Sequence, residues 1–192
     1  MDEFVPNRED AYNLLRKYIK NESLIHHALA VEAVMRHFAE LFNEDKEKWG
    51  IIGLLHDLDY EMFPHEHCKK VKEILKENNY PDDYINAIVS HGWKICSSVE
   101  PTEKMEKVLY SIDELTGLIT ATALMRPSKS VLDLEVKSVK KKWKQKGFAA
   151  GVNRDIIKEG AEMLGMDLNQ VIDETIKGMC NVADKIGLKG NL

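Results

Sequence analysis

Three features are scarce in this 192-residue chain, and each scarcity excludes something. Only three cysteines are present, Cys68, Cys96 and Cys180. They are odd in number, far apart and without a Cys-x-x-Cys spacing, so they read as reduced thiols and not as a disulfide scaffold. No long hydrophobic run occurs. The longest, Ile51–Leu55 with its glycine, is far too short to span a bilayer, so no membrane association is expected. Positive charge is not in excess, since 27 Lys+Arg against 32 Asp+Glu give a formal charge of −5. That argues against a protein whose main task is coating nucleic acid, and no nucleic-acid partner is expected. The first residues, Met1-Asp2-Glu3-Phe4-Val5-Pro6, are acidic where a secretory signal would be basic and then apolar. Together these readings point to a cytoplasmic globular domain. Its oligomeric state is left open.

What is present has helical period. Five prolines and eleven glycines punctuate the chain. Asn7 is placed to cap a first helix reaching about Lys20. Leu24, His27, Val31, Val34 and Phe38 follow at steps of 3, 4, 3 and 4, one stripe of a second helix. Trp49 to Leu58 is nearly all apolar and, as a helix, would be buried all round. His67 to about Asn78 reads as a short polar helix, and Pro81-Asp82-Asp83 as the start of the next. Glu103 to Met125 forms a long helix ended by Arg126-Pro127. Leu132, Val136, Val139 and Trp143 make a further stripe. Asn153 and Asp167 are caps for two last helices, stopped by Gly165 and Gly187. No alternating strand or internal repeat is found. The expected class is all-α, with a helical core over residues 1–126 and a C-terminal helical extension over 127–192 packed on the same domain.

The histidines are where the chemistry lies. His27 sits on an apolar stripe, His56-Asp57 closes the most apolar helix, and His67 and His91 fall at the edges of the next two elements. Asp113 lies at the edge of the buried face of the long helix. Buried imidazole and carboxylate must be bonded, paired or ligated. Together they suit a divalent transition metal: Fe, Mn, Zn, Co or Ni. Adjacent residues of a helix point about 100° apart, so His56 and Asp57 meet one ion only near a helix end, or else serve two ions with Asp57 between them.

The ordered set His27, His56-Asp57 and Asp113, with its flanks Leu24-Ile25-His26-His27, Gly53-Leu54-Leu55-His56-Asp57 and Asp113-Glu114-Leu115, resembles the H…HD…D pattern of the HD-domain superfamily of metal-dependent phosphohydrolases. The resemblance covers Ser23 to about Thr122. It implies an all-α bundle, one or two divalent metals per chain, and hydrolysis of a small phosphoester or phosphoanhydride, a nucleotide foremost, by metal-activated water. His67 and His91 match in order the two extra histidines of the family's dinuclear branches. His91 is followed by Gly92, so the double histidine of the cyclic-dinucleotide branch is absent, as is its Gly-Tyr-Pro signature. The implied metal ligands are His27, His56, Asp57, His67, His91 and Asp113. The implied catalytic acids are Asp57, Asp59 and Glu61, and Lys129, Lys137, Lys140, Lys141 and Arg154 are candidates to bind remaining phosphates. Two other readings stand beside this one. The same ligands serve di-iron oxygenases of the superfamily, and a metal can simply tie helices together in a sensor or structural domain. The lysine run at 137–146 reads equally well as the solvated face of an amphipathic helix.

Overall fold

A computed structural model describes residues 5–192. Among them there are nine α-helices and no strand. The helices are α1 (Arg8–Tyr18), α2 (Glu22–Phe42), α3 (Lys46–Leu55), α4 (Lys69–Glu77), α5 (Asp82–Ser90), α6 (Lys104–Leu124), α7 (Val136–Trp143), α8 (Arg154–Leu164) and α9 (Leu168–Cys180). The fold is all-α. A single 3-10 turn, Pro64–Glu66, stands between α3 and α4. No helix among the described residues is long and apolar enough to cross a membrane.

The caps form where the side chains allow them. Asn7, Asn21, Asp45, Asn153 and Asp167 each accept a backbone N–H of the helix they precede, which satisfies donors that have no partner inside the helix. Gly165 ends α8 in the left-handed region at φ 65°. The stripe that begins at Leu132 becomes helical only at Val136, and Leu132 itself is exposed.

Two long helices organise the core. α2 packs on α3, α6 and α9, and α6 packs on α8, α9 and α7. Val31, Val34, Met35 and Phe38 of α2 and Leu115, Leu118 and Ile119 of α6 are fully buried. α3 is apolar on every side because it is enclosed, with Trp49 through Leu55 all buried. At Gly53 it comes so close to α2 that an added Cβ would lie 2.8 Å from Met35 Cγ and 3.0 Å from the Val31 carbonyl. That approach sets the depth at which the last turn of α3, and therefore His56, meets α2. The helices after residue 126 share this core: α8 lies on α6, and α9 lies on α2.

Candidate metal centre

Three helices deliver one group of ligands. His27 comes from the first half of α2, Asp113 from the middle of α6, and His56 and Asp57 from the end of α3, where the helix stops at Leu55. His27 Nε2 lies 3.2 Å from His56 Nε2 and 3.0 Å from Asp113 Oδ1. His56 Nε2 is 3.3 Å from both Asp113 Oδ1 and Asp57 Oδ2, and His27 Nε2 is 3.7 Å from Asp57 Oδ2. A second group adjoins it. His67 Nε2 lies 3.2 Å from His91 Nε2, and each is 3.5 Å from Asp57 Oδ1. Asp57 therefore turns one oxygen to each group.

The rings are held from behind. His56 Nδ1 donates to the Gly53 carbonyl at 2.8 Å, and His91 Nδ1 donates to the Ile88 carbonyl. His67 Nδ1 donates to Asp59 Oδ1 at 2.7 Å. His27 Nδ1 faces Thr116 Oγ1 at 3.4 Å; that hydroxyl gives its own proton to the Asp113 carbonyl and so is an acceptor toward the ring. Each ring thus keeps its proton on Nδ1 and presents an Nε2 lone pair to the centre. Two facing pairs of lone pairs, with carboxylate oxygens between them, repel one another unless a cation lies in their midst.

Their spacing suits one. With bonds of about 2.0–2.2 Å, two ligand atoms on one ion lie about 2.8–3.6 Å apart at octahedral or tetrahedral angles. All the separations but His27–Asp57 fall in that window. Imidazole with carboxylate is a donor set for Fe, Mn, Zn, Co or Ni, and the backing hydrogen bonds are of the kind that orient metal-bound histidines. Without a metal, protons must take its place. Burial alone would lower the His56 imidazole, but Asp57 and Asp113 outweigh it and hold it well above its ordinary value. Burial would raise Asp57 and Asp113, yet the neighbouring imidazoles keep both low.

The other candidate residues lie elsewhere. Asp59 is fully buried behind His67, its second oxygen accepting Val71 N–H at 2.8 Å in the first turn of α4. It orients a ligand and caps a helix, and it does not face the cleft. Glu61 accepts the N–H groups of Lys20 and Asn21, tying the α1–α2 junction. Lys129, Lys137, Lys140 and Lys141 are exposed and do not line the cleft in front of the ligands. Arg154 is committed to main-chain carbonyls, donating to those of Trp143, Gln145, Phe148, Ala149 and Val152. The α7–α8 loop closes around this guanidinium, which leaves no free donor fork for a phosphate. The larger cavity that does hold cations, about 490 Å³ beside Arg8, Arg36, Lys46 and Lys185, is elsewhere. Its arginines are already bound to Glu32 and Glu47, and Lys46 to Glu40.

Two features were not anticipated. Cys68 and Cys96 are not separate thiols: their sulfurs meet as a disulfide, with Cα atoms 6.1 Å apart, an ordinary separation for such a pair. A left-handed Cys68 (φ 68°) and the tight turn after His91 aim the two side chains together, and Gly92 leaves room for both sulfurs. Cys180 takes no part. Glu114, beside Asp113, lies on the cleft wall and accepts the Asn153 N–H at 3.0 Å; burial pushes its carboxyl up. Its place beside Asp113 was the only signal available.

The family model of the HD domain matches residues 24–140, more than half of the chain, and the chain belongs to that family. HD-domain proteins are generally metal-dependent hydrolases, and both ligand groups fall inside the matched span. No solved structure matches the chain.

Proposed function

We propose that this protein is a metal-dependent phosphohydrolase that cleaves a small phosphoester, with nucleoside phosphates the first class to screen. The observation that carries the reading is the division of Asp57, one oxygen to each histidine group. His27, His56 and Asp113 would hold one ion with Asp57, and His67 and His91 would hold a second with it. Divalent ions bound there would supply activated water at neutral pH and a seat for phosphoryl oxygens. The chain's own work is positional. The Nδ1 bonds lock all four rings with Nε2 inward, and the cleft of about 380 Å³ opens on His27, His67, His91, Asp57 and Asp113 alone among the six ligands. His56, fully buried, anchors the centre from beneath.

Metal analysis of protein purified without chelator or air tests this, paired with turnover of a panel of phosphoesters. About two transition-metal ions per chain and metal-dependent release of phosphate are the expected results. A fully metallated protein that hydrolyses no nucleotide, dinucleotide, sugar phosphate or simple alkyl or aryl monophosphate would sink the reading. Oxygen uptake by an iron-loaded form would then point to oxygenase chemistry on the same ligands.

A further inference from the structure

The cleft in front of the ligands has an unexpected wall for a phosphate-binding site: no lysine or arginine lines it. Its non-ligand lining includes Tyr60, Tyr110, Glu114, Val152 and Ile156, and its floor is Gly117 of α6. A second cavity of about 440 Å³ adjoins it, and the two share His27 and Gly117. This second cavity is mainly apolar, with Ala30, Ala121, Leu124, Ile186 and Leu188 on its walls.

Gly117 is the informative residue. A glycine inside a helix costs about 1 kcal/mol relative to alanine. Elsewhere the chain keeps helical glycines because packing requires them: an added Cβ would lie 2.8 Å from Met35 Cγ at Gly53, 2.5 Å from Ser111 Cβ at Gly160 and 2.8 Å from Val34 Cα at Gly178. At Gly117 the nearest atom would be Val152 Cγ2 at 3.6 Å, an ordinary contact. No neighbouring helix needs that space. Gly117 lines both cavities, so a side chain there would take up space where they adjoin.

Charge points the same way. A pair of divalent ions facing Asp57 and Asp113 leaves a positive excess that one phosphoryl dianion balances. Each further phosphate would need a cation on the wall, and the wall offers the carboxyl of Glu114 instead. Resting on the phosphohydrolase reading, we propose that the substrate is a monophosphate ester whose uncharged, largely apolar organic group crosses Gly117 and lies in the second cavity, and that polyphosphates are excluded. Gly117 and Ala121 are then specificity residues.

Calorimetric binding of two non-hydrolysable probes to the metal-loaded protein tests this: methylphosphonate, which fills the metal end only, and 1-naphthylmethylphosphonate, which reaches across Gly117. The naphthyl probe is expected to bind at least about tenfold more tightly. Gly117→Leu and Ala121→Leu should each shrink that ratio by about tenfold, circular dichroism confirming that both variants fold. Adenosine triphosphate should compete no better than adenosine monophosphate. A ratio unchanged in both folded variants, or affinity that rises with each added phosphate, overturns the groove while leaving the phosphohydrolase intact. Failure of methylphosphonate itself to bind, together with no turnover, overturns the underlying reading and the groove with it.

Discussion

The two halves of the candidate metal centre share one carboxylate yet are built on different supports. His27 and Asp113 stand within α2 and α6, the two helices that organise the core, and His56 is fully buried where α3 ends against α2. Their positions come from helix packing over a large apolar area. His67 lies between a 3-10 turn and α4, and His91 caps the end of α5. Those two are aimed by local hydrogen bonds, above all the Asp59–His67 contact. One half is therefore held by the fold as a whole, and the other by a few neighbours.

Breaking the shared element should have the largest effect. Asp57→Ala removes a ligand from both halves and should lower turnover by at least about a thousandfold, within what mutating metal-site chemistry removes. Helix content should be unchanged, because Asp57 is partly exposed and lies outside α3. If the variant unfolds instead, the centre is structural. A sharper test of the contrast is Asp59→Asn. His67 Nδ1 and Val71 N–H donate to different oxygens of Asp59, and in asparagine one of those two positions becomes an NH2 that cannot accept, so affinity for the second ion should fall about 10–100-fold. The first ion, read in the same metal titration, should bind as before. Equal weakening of both ions would show that the halves are not independently supported.

The smallest effect concerns the metal-free protein. His56 and His67 both titrate above their ordinary value of 6.5, because nearby carboxylates outweigh their burial. A raised folded pKa gives stability that is complete below the unfolded value and disappears as pH rises through the folded one. Thermal melts of metal-free protein should therefore shift down by a few degrees as pH climbs above 6.5, and bound metal should erase the trend. A metal-free melting temperature that stays flat or rises over that range would contradict the proton's role as stand-in for the ion.

Much of this arrangement was legible in the sequence, for identifiable reasons. The helices were readable because period and caps coincide: Asn7, Asn153 and Asp167 begin helices where the apolar stripes begin. The six residues that converge were readable because imidazole or carboxylate on a buried stripe demands a partner. The lysine run carries no such demand, since an exposed amine satisfies itself in water. Its amphipathic alternative describes what the structure shows for Lys137, Lys140 and Lys141. Arg154 and Glu61 were opaque because their partners are backbone groups, which leave no mark on composition. The meeting of Cys68 with Cys96 depends on a left-handed residue and a turn that place two remote segments side by side.

α6 also acts as a ruler. Asp113, Thr116, Gly117, Ala121 and Leu124 succeed one another along it at steps of 3, 1, 4 and 3, so they stay on one side of the helix. At about 1.5 Å per residue, the span from Asp113 to Leu124 is about 16 Å. In the proposed groove, a molecule anchored at the metal end would be measured against that graduated edge. Inserting or deleting a single residue between positions 113 and 117 would rotate the rest of the scale by about 100° and leave the centre and the groove on different faces.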